Sequence, residues 1–233
     1  MDPAVSSAIS PRFPDRRAAG RHLATLLAGY ADQPDVIVLG LPRGGIPVAA
    51  EIAAALGAPL DALLVRKLGV PGHEELAMGA IASGGLRVLN HEVIDDLGIP
   101  PHVVATVEAR ERPELERRER TYRGVRPPPC LRDRIVIVVD DGLATGSTMR
   151  AAVEAIRREG PARLVAAAPV GAAVVRDALA AVADEVVVAA TPSPFGAVGL
   201  WYTAFPPTSD DEVRALLAAA APTNPASEPD NPR

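Results

Sequence analysis

Two adjacent carboxylates lead into a run rich in glycine and hydroxyl groups at Val138-Val-Asp-Asp-Gly-Leu-Ala-Thr-Gly-Ser-Thr-Met149. The residues before them are apolar and β-branched, so Asp140 and Asp141 emerge where a strand stops. In open α/β sheets, ligands bind outside the carboxyl ends of the strands. Gly142 and Gly146 permit positive φ, which lets successive N–H groups converge on one anion. Thr145, Ser147 and Thr148 add hydroxyls just where the next helix begins, and a helix start favours negative charge. One end of the run suits a phosphate and the other suits hydroxyl groups. A sugar phosphate offers both. An ordinary acidic turn with Ser147 as helix N-cap would use the same residue types.

Two further segments have chemistry in their spacing. In Leu39-Gly-Leu-Pro-Arg-Gly-Gly45, Gly44 and Gly45 allow close backbone approach, and Arg43 offers a donor fork to diphosphate oxygens. The G-x-G-x-x-G spacing of a dinucleotide site is missing. In Val65-Arg-Lys-Leu-Gly-Val-Pro-Gly72, Arg66 precedes Lys67, the sole lysine among 24 basic residues. A compact point charge kept at one position suits a moving diphosphate. Leu68 follows it, so the Gly-Lys-Ser/Thr of a Walker A loop is absent. The 68–80 stretch, with Gly69, Pro71, Gly72 and Gly79, is expected to be mobile enough to form a lid. Glu74 and Glu75 within it are candidate proton acceptors, or else solvated surface acids. Four of the seven aromatics, Phe195, Trp201, Tyr202 and Phe205, fall in one short segment. They suit either stacking on a heterocycle, worth roughly 1–3 kcal/mol, or packing of the C-terminal segment on the core. The four histidines and Cys130 show no metal-ligand spacing.

In this order, the three segments resemble the type I phosphoribosyltransferases over about residues 15–205, with loop chemistry similar to adenine and orotate members. The resemblance implies transfer of the 5-phosphoribosyl group from 5-phosphoribosyl 1-pyrophosphate (PRPP) to a nitrogenous acceptor, a nucleobase or related heterocycle, with release of pyrophosphate. Asp140 and Asp141 would hold the ribose 2′- and 3′-hydroxyls. The loop from Gly142 through Ala144, Thr145 and Gly146 to Ser147 and Thr148 would hold the 5′-phosphate. Arg43, Gly44 and Gly45 would form the pyrophosphate loop, with a cis peptide at Pro42–Arg43. Arg66 and Lys67 would begin the catalytic loop. Phe195, Trp201 and Tyr202 would line the acceptor pocket in a hood built from about residues 191–208. Mg²⁺ is the implied cofactor, with no direct protein ligand assigned, and a homodimer is the implied assembly. Ala144 departs from the hypoxanthine-guanine pattern, which has an aspartate there. A non-catalytic PRPP-binding regulatory protein on the same fold is the rival reading.

These residues need elements to position them. Short runs apolar on both faces, at 36–40, 60–66, 135–139, 164–168 and 185–189, read as buried parallel strands. Helical patterns follow Asp15 and cover about 47–56, 147–158 and 172–182. The fold class is therefore α/β, a doubly wound, mostly parallel sheet with helices on both faces. Residues 90–126 read as a solvated helical insertion with four i,i+4 pairs, Glu108–Arg112, Glu114–Arg118, Glu116–Arg120 and Glu119–Arg123. Pro113 is expected to start a new helix there or to kink the old one. The domain spans 13–219, between flexible tails at 1–12 and 220–233.

With 48% apolar and 23% charged residues in 233, the chain can bury a core without disulfides or metals. A net charge of −5 without a basic run argues against nucleic-acid binding. No secretory signal is visible, and the longest uncharged run, 186–209, contains four prolines, a poor membrane helix. A cytoplasmic protein with no membrane partner is expected.

Overall fold

A computed structural model describes residues 12–220. The expected tails lie outside the described residues except for Arg12 and Ala220. Five parallel strands form the central sheet: β1 (Val36–Gly40), β2 (Leu60–Ala62), β6 (Ile135–Val139), β7 (Arg163–Val170) and β8 (Glu185–Ala190), in the order β2-β1-β6-β7-β8. A second sheet is antiparallel, with β3 (Val65–Val70), β4 (His73–Ala82) and β5 (Leu86–Leu89) side by side.

Alternation along the strands splits the interior into two cores. Val36 and Val38 face one side with α1 (Arg16–Leu26) and α2 (Gly45–Leu56), through Leu23, Leu27, Ile46 and Ile52. Ile37 and Leu39 face the other with α5 (Ser147–Arg157), through Met149, Val153 and Ile156. Leu179 of α6 (Ala173–Leu179) joins that second core. Strands covered on both faces must be apolar throughout, which is why they read so clearly in the sequence. Asp15 caps α1 as expected, its carboxylate accepting the N–H of Ala18 at 2.7 Å.

Three expectations need correction. The segment expected as one strand over 60–66 is two, because the chain leaves the central sheet after Ala62. There the guanidinium of Arg123 donates to Asp61 Oδ2 and to the carbonyl of Ala62 at 3.1 and 3.0 Å. Leu64 then pairs with Ser83, and the chain continues into the second sheet. The 68–80 stretch, expected as a mobile lid, has regular structure as most of the β3–β4 hairpin, turning at Pro71–Gly72 with residues 71–76 exposed.

The insertion is α3 (His91–Asp96) and a single helix α4 (Pro101–Arg123) that continues past Pro113 without restarting. Its four expected ion pairs are present. It is not merely solvated, however. Val104, Val107, Leu115 and Tyr122 are buried against β3, β4 and the C-terminal helix α7 (Asp210–Ala219). Packing of both halves on the same neighbours offsets the loss of one helical hydrogen bond at proline. No described helix is long and apolar enough to cross a membrane.

Candidate active site

The loop after β6 leaves the sheet between the ends of β1 and β7. Asp140 N–H donates to the carbonyl of Ala167 at 3.2 Å, and Leu143 N–H to that of Val170 at 2.9 Å. These bonds fix the two acids at the carboxyl rim. Asp140 accepts the N–H of Asp141 at 2.9 Å. Its carboxyl is pushed well above the usual range, first by burial and then by the charge of Asp141.

The loop after β1 folds directly onto this pair. Its Pro42–Arg43 peptide is cis. A Cβ added to Gly44 would overlap Asp141 Oδ2, and one added to Gly45 would lie 2.5 Å from the carbonyl of Val139 and 3.0 Å from Asp140 Cα. A side chain at 45 has no room and one at 44 fits only if the Asp141 carboxylate gives way, so the two loops expected to hold diphosphate and ribose form one wall.

Gly142 and Gly146 are equally confined. A Cβ at Gly142 would meet Val198, and one at Gly146, whose φ is +70°, would meet Val175. Ala144, Thr145, Ser147 and Thr148 line the open side of the loop, and all four are exposed. The helix after them does not use Ser147 as its cap. Instead Thr145 Oγ1 accepts the N–H of Ser147 at 3.4 Å and lies 3.1 Å from its hydroxyl. The first-turn N–H groups of α5 have no intrahelical acceptors.

Alternation in β3 sends Arg66 and Lys67 to opposite faces. Arg66 faces α4, where its Nε donates to Glu111 at 3.0 Å and its Nη2 pairs with the same carboxylate. Lys67 faces α5 and lies between two clefts. One, of about 590 Å³, is lined by Lys67, Glu75, Ser147, Arg150 and Glu154 among others. The other, of about 340 Å³, is lined by Arg66, Lys67, Glu111 and Thr148 among others. Lys67 thus shares one cleft with Ser147 and the other with Thr148, two of the loop's three hydroxyl residues, whereas Arg66 pairs with Glu111 of the insertion helix.

Glu74 folds back on its own hairpin, accepting the N–H of Gly72 at 3.3 Å. Hydrogen bonds from its own N–H and from Gly72 lower its pKa. Arg43 points toward α7, 3.8 Å from Asp210 and half exposed. Tyr122 donates to the same Asp210 carboxylate at 2.5 Å, and burial, then that bond, pushes its pKa up to about 12.

The aromatic segment forms a small third core with Phe13 and Val198. Tyr202 is buried, stacked on Phe205 at 4.8 Å between ring centroids and tilted against Phe13 at 6.0 Å. Its hydroxyl donates to the carbonyl of Asp141 at 2.6 Å. Trp201 Nε1 donates to the carbonyl of Phe195 at 2.8 Å. Tyr202 is therefore a structural link to the acid pair, while Trp201 and Phe195 are only partly buried.

Sequence reasoning missed Arg16. Its Nε donates to Asp141 Oδ2 at 2.8 Å, its Nη1 donates to the carbonyl of Pro206 at 2.7 Å, and its guanidinium lies 3.7 Å over the Phe205 ring. In a chain so rich in arginine, nothing in its spacing marks it.

A sequence profile of the phosphoribosyl transferase domain matches residues 13–189. The chain belongs to the phosphoribosyl transferase family. The chain is 48% identical over 208 residues to a protein of Mycobacterium tuberculosis strain H37Rv whose name assigns it provisionally to the phosphoribosyl transferases. A counterpart in strain CDC 1551 matches equally. The match takes in 89% of this chain but spans only 47% of the length of those relatives. The crystal structure of TT1426 from Thermus thermophilus is 43% identical, with a TM-score of 0.83 over 90% of this chain and 99% of that one.

Proposed function

We propose that the protein transfers the 5-phosphoribosyl group of PRPP to a nitrogenous acceptor, a nucleobase or related heterocycle, and releases pyrophosphate. The observation that supports this most is the closure of Gly44 and Gly45 onto Asp141 and Asp140 at the sheet rim. In this reading the loop at 43–45 takes the diphosphate, the acid pair it touches takes the diol, and the helix start next in the chain takes the 5′-phosphate.

In this reading the bond from ribose C1 to the diphosphate oxygen breaks, the acceptor nitrogen bonds to C1, and an acceptor proton leaves. Positive charge builds on the ring and negative charge on the diphosphate. Asp140 and Asp141 hold the diol, the 144–148 loop grips the 5′-phosphate, and Lys67 meets the departing diphosphate. Arg43 can swing from Asp210, since the 3.8 Å pairing is loose and solvated.

Among the described residues, no group of three or more His, Cys, Asp or Glu gathers as a metal cluster. Two adjacent acids fit an ion that takes most of its ligands from substrate oxygens. Mg²⁺ bound with PRPP would neutralise charge on the leaving group. A cytoplasmic homodimer serving nucleotide salvage is part of the same reading.

Mixing PRPP, Mg²⁺ and a panel of nitrogenous bases tests it. The expected result is pyrophosphate release with at least one base. Calorimetric binding of PRPP without release against any base points to the regulatory role instead. No binding at all ends both.

A further inference from the structure

Four separate segments meet at one carboxylate, that of Asp141. The β6 strand delivers it, and Gly44 of the diphosphate loop lies so close to Oδ2 that a Cβ there would overlap it. Arg16, from the first turn of α1, donates to that oxygen at 2.8 Å. The hood segment supplies the rest. Tyr202 donates to the Asp141 carbonyl, the Pro206 carbonyl accepts from Arg16, and the Phe205 ring lies under the guanidinium.

Both partners of the ion pair are largely shielded, with 11% of the Arg16 side chain and 16% of the Asp141 side chain exposed. An exposed pair would count for little; a shielded, hydrogen-bonded one holds its geometry. Arg16 reaches Oδ2 and leaves the other oxygen, Oδ1, outside its grip.

We infer that Arg16 is a positioning residue for the sugar: it clamps Asp141 by Oδ2 so that Oδ1 stays aimed at the ribose diol. Resting on the transfer function proposed above, this inference adds a residue that none of the three sugar-phosphate motifs contains. The clamp also explains why the guanidinium has so many contacts. A side chain with several rotatable bonds positions another group only when it is itself held. Arg16 is held by the Phe205 face and the Pro206 carbonyl. A lysine could reach Asp141 but could not make the second, forked contact.

The test uses the full chain and PRPP with Mg²⁺. Calorimetry gives the PRPP Kd for wild type, Arg16→Gln, Arg16→Lys and, as a neighbouring control, Arg17→Gln. Arg17 makes only an exposed pair with Glu51. With any acceptor that turns over, the same variants give kcat and the KM for PRPP. The expected result for Arg16→Gln is a loss of PRPP affinity of about ten- to a hundredfold, the scale of one hydrogen bond to a charged group. The KM for PRPP should rise more than kcat falls. Arg16→Lys should regain part of the loss, and Arg17→Gln should bind as wild type does.

Wild-type affinity in Arg16→Gln, or no recovery in Arg16→Lys, overturns the positioning role. Tighter binding in Arg16→Gln also overturns it, since Arg16 would then be blocking the site. A wild-type chain that binds no PRPP overturns the transfer function itself, and the clamp with it.

Discussion

Burial, and then the neighbouring charge of Asp141, raises the pKa of Asp140. The fold therefore favours the protonated acid. Stability tied to that proton is complete below the ordinary carboxylate range and is lost as pH rises through the raised value. Asp140→Asn removes the titration while keeping an oxygen for the Asp141 N–H. The variant should melt higher than wild type at neutral pH, by about 2–4 °C for each kcal/mol recovered, with the gap closing in acid. PRPP binding should weaken in the same variant, because an amide holds a diol less well than a carboxylate. Melting curves across pH, paired with calorimetry, check both halves. The two glutamates of the hairpin separate by a similar argument. Glu74 spends its charge on backbone N–H groups and is the poorer base, whereas Glu75 lines the large cleft beside Lys67. If a side chain takes the acceptor proton, Glu75→Gln should lower kcat by about 100-fold and Glu74→Gln by less than about twofold. Equal rates in both variants would remove Glu75 from that role.

The loop after β1 offers a contrast between neighbours. An alanine at 44 would press on the Asp141 carboxylate, which could yield only by loosening its Arg16 pair, whereas one at 45 would press on the backbone of Val139 and Asp140. Gly44→Ala should therefore lose less stability than Gly45→Ala yet bind PRPP poorly. Gly45→Ala should lose stability by about 1–3 kcal/mol, the usual result of overfilling a packed site. Chemical denaturation and PRPP titration on both variants distinguish the two outcomes. Elements of this kind were open to reading in advance. The strands flanking the site are apolar on both faces because both faces are buried, and the glycines and paired acids stand at their ends. What could not be read depends on contacts distant in the chain. The break between β2 and β3 follows from Arg123 arriving from the far end of α4. The division of work between Arg66 and Lys67 follows from which helix covers each face of a strand that alternation alone cannot orient. Arg16 was hidden for the same reason: its partners lie 125 and 190 positions away.

Across the whole molecule, the site depends on two distant stretches of chain zipped together. Phe13 N–H donates to the carbonyl of Trp201 at 2.9 Å, Thr203 N–H to that of Phe13 at 2.8 Å, and Ala204 N–H to that of Pro14 at 2.9 Å. Tyr202, between them, reaches Asp141 with a hydroxyl whose pKa burial pushes far up, so it stays a donor at any ordinary pH. Tyr202→Phe leaves the Asp141 carbonyl without that donor and should cost about 1–2 kcal/mol. Its PRPP affinity should also fall, which a surface-packing residue would not cause. A melting curve and a PRPP titration together decide the point. The clasp between residues 13–16 and 201–206 also has a consequence for synthesis. A growing chain can complete its parallel strands once residue 190 has left the ribosome, but Arg16 and Asp141 still lack Pro206, Phe205 and Tyr202. A nascent protein therefore has its scaffold before Asp141 is fully held, and only the emergence of residues 201–206 supplies the missing partners.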